Sequence, residues 1–276
     1  MTQIFATNGA AGDFNATGSY SGAALPISND ELIFRAVLES FNFTTNPTAL
    51  AAVDLDVFAT HIGFNGDIGA ISAPYQGSAD KVYHGGGGCL YYLDGGGTTD
   101  LWIGDASRVQ RGVLNGVLTG NTITKGSFAR GNYQINLSGT MATLETGWRT
   151  NPINDVILAI LGGTYINSRL GGGDINASVS LGTVVVGRSA RLVQAAGGAT
   201  LLDVHGTCYW DSRSDPTFVR VHPGGYFDTS RVAGEITITA GEVLPGGRAY
   251  VPDDYTNFGT PFPEGAGQEI ITKRQS

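Results

Sequence analysis

Between Val156 and Val243 one pattern recurs five times: an apolar alternating run, a glycine, then a second short run. The five copies are Ile157–Ile166, Val179–Val186, Leu202–Trp210, Phe218–Phe227 and Ile236–Val243. Their closing glycines, Gly163, Gly182, Gly206, Gly225 and Gly241, follow one another at steps of 19, 24, 19 and 16 residues. Period-two alternation over about five residues marks a strand with one face toward a core. The glycine between two such runs lets the chain bend where a side chain would clash or φ must be positive. A single copy cannot bury its inward face alone, so copies have to stack. The pattern predicts an all-β chain folded as a right-handed parallel β-helix, a β-solenoid. An antiparallel β-sandwich with glycine turns is the alternative, because it too shows short strands at close spacing.

Elsewhere the same theme is harder to phase. Strand and glycine runs recur from Val82 to Glu145, including Cys89–Leu93 after a run of four glycines and Asp100–Ile103 after a run of three. Neither glycine run has the order of a phosphate-binding loop, and no helix follows, so both read as turns. Only Asn154-Asp155 offers a possible helix start, and Gly162-Gly163-Thr164-Tyr165 pulls the run after it back toward strand. After Val243 the character changes: Leu244-Pro245-Gly246-Gly247 reads as the end of the repeat, and Pro252, Pro261 and Pro263 mark an extended arm. The expected organisation is an N-terminal arm and cap over 1–35, a solenoid over 36–243 and a C-terminal arm over 244–276.

The most distinctive non-repetitive stretch is Gly12 to Phe34, with Phe14, Tyr20 followed by Ser21-Gly22-Ala23, Pro26, and Asp30 just before Glu31-Leu32-Ile33-Phe34. It resembles an opening motif of Gly-rich bacterial and phage surface β-helix proteins, with Phe14 and Tyr20 where those families commonly carry Trp. Mechanically it reads as a cap: rings cover the open end of the stack, Pro26 blocks strand pairing and Asp30 closes a turn. Phe43-Thr44-Thr45-Asn46-Pro47, the alternation Leu50–Phe58 and Phe64-Asn65-Gly66-Asp67-Ile68-Gly69 continue the resemblance. Proteins of that kind look like virion structural components that decorate a phage head. The resemblance implies contact with a major capsid protein and a place on the capsid surface after synthesis in the host cytoplasm. Candidate contact residues are Phe14, Tyr20 and Pro26 at one end and Tyr255, Phe258 and Phe262 at the other.

Glycine is 42 of 276 residues without a three-residue period, while apolar residues still make up 41%, so neither collagen nor disorder fits. Charged residues are only 14%, and the formal net charge of −8 comes without a Lys/Arg cluster, which argues against a nucleic-acid partner. Cys89 and Cys208 stand far apart with no metal-ligand spacing. Cys208 lies in a strand phrase and is expected to be a small buried residue rather than half of a disulfide. Met1–Ala6 lacks the basic and apolar regions of a signal peptide, and no run approaches the roughly 18 apolar residues of a membrane span.

β-Solenoids also serve as glycan-cleaving enzymes, which need carboxylates, or a base with an Arg, converging on one groove. The best local cluster is Asp203, His205, Asp211, Arg213 and Asp215, in which Asp203 and His205 alternate with apolar residues and share the outward face. The four histidines, His61, His84, His205 and His222, are scattered along the chain, and no Gly-x-Ser-x-Gly elbow occurs. Sequence reading therefore expects no catalytic residue, cofactor or metal, and a non-enzymatic virion structural protein, with a tailspike-type polysaccharide depolymerase or receptor-binding tail protein as the alternative. A homotrimer is expected from closed symmetry on an icosahedral lattice.

Overall fold

A computed structural model of the chain describes residues 2–7, 13, 15–34, 41–43, 54–60, 66–68, 78–84, 90–93, 100–103, 112–116, 122–128, 131–147, 156–232, 236, 238–252 and 269–273. The chain divides into two compact units, Met1–Thr143 and Leu144–Ser276. In both, strands from successive coils pair in parallel, and the chain is a β-solenoid rather than a sandwich. The one antiparallel contact described is an isolated bridge between Ala6 and Tyr20.

The first unit holds β1 (Gln3–Phe5), β2 (Glu31–Phe34), β3 (Phe41–Phe43), β4 (Asp54–Thr60), β5 (Gly66–Ile68), β6 (Ser78–His84), β7 (Leu90–Leu93), β8 (Asp100–Ile103), β9 (Gly112–Gly116), β10 (Thr122–Phe128) and most of β11 (Gly131–Thr146). They form two columns. β1, β2, β4, β6, β8 and β10 stack with Glu31, Val57, Lys81, Asp100 and Lys125 in successive register. β3, β5, β7, β9 and β11 stack with Ile68, Tyr91, Leu114 and Ile135 in register.

The opening segment of this unit packs against β1 and the residues just after it. Two 3-10 turns, Thr17–Ser19 and Ser21–Ala23, flank Tyr20, which is buried. Asp30 is buried and its carboxylate accepts the Ile27 and Thr2 amides, closing the turn into β2 as the sequence suggested. Gln3–Phe5 does not stand apart as an arm. It is the first rung of the column.

The second unit holds β12 (Val156–Ala177), β13 (Thr183–Gln194), β14 (Leu201–Val204), β15 (Thr207–Trp210), β16 (Phe218–Val221), β17 (Tyr226–Asp228), β18 (Ala240–Val243), β19 (Arg248–Pro252) and β20 (Glu269–Lys273). Its first column runs β12, β13, β14, β16, β18, and its second β12, β13, β15, β17, β19, β20. Alternation decides which residues go inside. Val186, Val204, Val221 and Val243 lie one above another and are almost wholly buried. Opposite them Leu192, Cys208, Phe227 and Ala249 form a second buried file. Burying each of the larger aliphatic or aromatic side chains contributes about 1.5–3 kcal/mol. Cys208 is a free, buried thiol in that file, as expected. The ladder also runs on past Val243, because Arg248–Pro252 and Glu269–Lys273 take rungs in it.

The register explains the uneven glycine spacing. Gly182 comes just before the first-column strand β13, Gly206 and Gly225 come after first-column strands, and Gly241 sits inside β18. The five glycines thus belong to different parts of the coil. A true column exists at the corner leading from the first column to the second. A Cβ on Gly206 would strike the carbonyl of Gly187, one on Gly225 the carbonyl of Val204, and one on Gly247 the carbonyl of Val221. Two of these corners are alike: His222-Pro223-Gly224-Gly225 and Leu244-Pro245-Gly246-Gly247 each close with a 2.8 Å bond, and Gly224 and Gly246 have φ of 79° and 84°. Proline followed by a positive-φ glycine is the type II turn.

Candidate functional site

The outward face of the first column in the second unit carries a cluster of ionisable groups. Asp203 on β14, Arg220 on β16 and Glu242 on β18 occupy equivalent positions in consecutive coils, so the register alone stacks acid, base and acid. Arg220 Nη1 lies 3.5 Å from Asp203 Oδ1, and its Nε donates to Glu242 Oε1. The hydrogen bond to Glu242, aided by both carboxylates, raises the already high pKa of the guanidinium. Arg220 is partly exposed, so each pair contributes at most about 1 kcal/mol.

Two residues further along, the same register places His205 above His222. The rings are stacked, with centroids 3.7 Å apart and planes 13° from parallel. His222 Nε2 also lies 3.3 Å from Asp203 Oδ1. Partial burial lowers the pKa of His205, and the charges of His222 and Arg188 add to this against the opposing pull of Asp203. The histidines are therefore not all scattered as the sequence suggested. His205 and His222 are neighbours because one coil brings them into register. The contacts of His61 and His84 lie outside the described side chains.

Of the cluster picked from the sequence, Asp203 and His205 do share the outward face, while Asp211, Arg213 and Asp215 belong to the segment after β15. Asp211 pairs with Arg231 at 3.2 Å. Sequence reading missed Arg220 and His222, the real neighbours of Asp203, and Glu242, the second partner of Arg220. The signal was available: Asp203-Val204-His205 and Arg220-Val221-His222 match position for position when the phrases are aligned.

On the second column the outward residues are aromatic and basic. Arg191 and Arg231 place their guanidinium carbons 5.2 and 5.3 Å from the centre of the Tyr209 ring, and Tyr226 meets that ring edge-on at 6.1 Å. The Tyr226 hydroxyl donates to Asp228 Oδ2 at 2.8 Å, and its pKa is pushed up to about 12, first by burial and then by that bond.

Of the six contact residues picked from the sequence, Tyr20 and Pro26 are buried within the first unit and serve its packing. Phe14, Tyr255, Phe258 and Phe262 lie outside the described residues. Among the described residues no group of three His, Cys, Asp or Glu side chains is arranged to hold a metal ion. No helix among them is long and apolar enough to cross a membrane. Chemically, the Asp203–His222 pair could orient an imidazole for proton transfer, but Asp203 is shared with Arg220, and Arg220 with Glu242. Comparison with protein-family models, with curated proteins and with solved structures finds no match to this chain.

Proposed function

We propose that the chain is a non-enzymatic structural protein of a phage particle, a decoration or head-fibre protein seated on the major capsid protein. The observation that carries this reading is the outward ladder of Asp203, Arg220 and Glu242, whose charges are spent on one another across coils. Side chains paired this way are occupied with one another rather than aimed at a reacting group. The opening motif from Gly12 to Phe34 supports a place among virion surface proteins. In this reading the coils present a rigid surface, and three copies associate on the shell. The test is co-sedimentation of purified protein with capsids of the phage that encodes it, stripped of decoration. Saturable binding is expected, and its absence refutes the proposal. Sedimentation of the free protein as a monomer at micromolar concentration would remove the trimer.

A second reading, a depolymerase of the tailspike type, is favoured by one observation, the gathering of Asp203, His205, His222 and Arg220 on one outward face. It predicts clearing of capsular polysaccharide by the purified protein, with loss of clearing in Asp203→Ala.

A further inference from the structure

Where the first column of the second unit turns into the second, Gly187, His205, His222 and Leu244 directly follow the stacked valines Val186, Val204, Val221 and Val243. The amides of His205, His222 and Leu244 donate to Val186, Val204 and Val221 carbonyls of the preceding coil, each at 2.8 Å. The backbone register therefore imposes the imidazole stack, with centroids 3.7 Å apart. The two rings stand on unlike corners. His205 and Gly206 are the whole of theirs, and a Cβ on Gly206 would strike the Gly187 carbonyl, so His205 is held in place. His222 opens the turn His222-Pro223-Gly224-Gly225, in which Pro223 and Gly224 are exposed and a Cβ on Gly224 would meet nothing within 4 Å. That turn has room to move outward. The His222 amide on Val204 O and the Tyr226 amide on Gly206 O, at 2.8 Å each, tie it to the preceding coil.

Charged groups reach the pair from each strand packed against it. Arg188 on β13 acts on His205. Asp203 on β14 has its Oδ1 3.3 Å from His222 Nε2 and 3.5 Å from Arg220 Nη1. Arg220 on β16 also bonds Glu242 on β18. In the same file Val185 lies beneath Asp203, and Leu244 covers His222, so neither position adds a charge. With neutral rings, two guanidiniums stand among two carboxylates. Protonating both rings adds two cations, and Asp203, the carboxylate on His222, is already shared with Arg220.

From this arrangement we infer an acid-released latch: when both imidazoles carry a proton, the His222–Gly225 turn swings away from His205 and frees the corner, while the strands on either side keep their register. Neutral rings stack favourably, whereas two imidazoliums at this separation repel, and Arg188 adds to the repulsion. Burial, then the charges of His222 and Arg188, weaken proton binding at His205 in the closed form, against the pull of Asp203. Moving the turn away removes the His222 share, so the open form binds the proton more tightly. The latch is closed above the ordinary histidine value of about 6.5, and the open population grows as pH falls below it.

The test is hydrogen exchange on the full chain at pH 8 and pH 5, corrected for the intrinsic pH dependence of exchange, with the nuclear Overhauser effect between the two imidazoles in histidine-labelled protein as a second readout. From pH 8 to pH 5, protection of the His222 and Tyr226 amides should fall about threefold or more relative to Cys208 and Phe227 in the adjoining strands, and the ring–ring effect should be lost. His205→Asn should abolish the differential fall. If its far-UV circular dichroism or unfolding midpoint at pH 8 departs from the parent, His205→Phe, which keeps a ring in the stack, takes its place. The inference is overturned if protection at the turn is unchanged, if turn and strands lose protection together, if the ring–ring effect survives at pH 5, or if the fall persists in the variant.

Discussion

Gly224 and Gly225 are adjacent in one turn, yet alanine should harm them for different reasons and by different amounts. At Gly224 φ is 79° and a Cβ would have nothing within 4 Å, so the cost is torsional. A left-handed residue other than glycine costs about 1–2 kcal/mol, and the stiffer unfolded chain returns about 0.4–1 kcal/mol. The net loss should be about 1 kcal/mol. At Gly225 the Cβ would collide with the carbonyl of Val204 and lie 3.0 Å from that of His222. The Val204 carbonyl already accepts the His222 amide at 2.8 Å, and the Tyr226 amide bonds to Gly206 O at 2.8 Å, so pushing the coils apart strains both. Two backbone bonds at about 1 kcal/mol each and about 1–3 kcal/mol of overpacking sum to about 3–5 kcal/mol. Urea unfolding followed by far-UV circular dichroism, and by fluorescence with Trp210 as a buried reporter, would separate the two. With a urea slope of about 2–3 kcal/mol per molar, Gly225→Ala should unfold about 1 M earlier than Gly224→Ala. Equal midpoints, or the reverse order, would refute the stacked glycine corner.

Removing the ring of Phe227, which is fully buried, should cost about 3–5 kcal/mol in the same assay. Arg220→Ala, by contrast, should shift stability by no more than about 1 kcal/mol, because its partners are partly exposed, and a loss above 2 kcal/mol would show the ladder to be a core element. In a Cys89→Ser background, Cys208 should react with a maleimide only as fast as the second unit opens, since burial leaves the thiol inaccessible and raises its pKa. Rapid labelling in native buffer would contradict the inward file. His205 binds its proton more weakly folded than unfolded, so its contribution to stability is complete above the unfolded pKa of about 6.5 and is lost as pH falls toward the lower folded value. Unfolding midpoints between pH 8 and pH 5 should decline less steeply in His205→Asn than in the parent, and parallel declines would exclude the histidine stack as the cause.

The parallel stack was legible because alternation and turn chemistry are local. Leu202-Asp203-Val204 and Phe218-Val219-Arg220-Val221 show inside and outside without help from the rest of the chain. Asp30, too, could be read as a turn residue from its own neighbours. Contacts between coils were less legible, because they depend on how many residues each corner takes up. Arg220 meets Asp203 and His222 meets His205 only once 17 residues are known to make one coil there. Treating glycines from different corners as one series hid that step. The end of the ladder was misplaced for a related reason: Leu244-Pro245-Gly246-Gly247 looks like a terminator, yet it is the same turn as His222-Pro223-Gly224-Gly225 one coil earlier.

The corner glycines give the coil a place where its length can change without disturbing the strands. Two residues join β14 to β15, whereas four join β16 to β17 and four join β18 to β19, yet the parallel register on both sides is kept. Extra residues are taken up at Pro223-Gly224 and Pro245-Gly246, which are exposed. This makes the Pro223–Gly224 bond a natural insertion point: a foreign peptide placed there would be displayed at the surface while the valine files beneath it stay aligned.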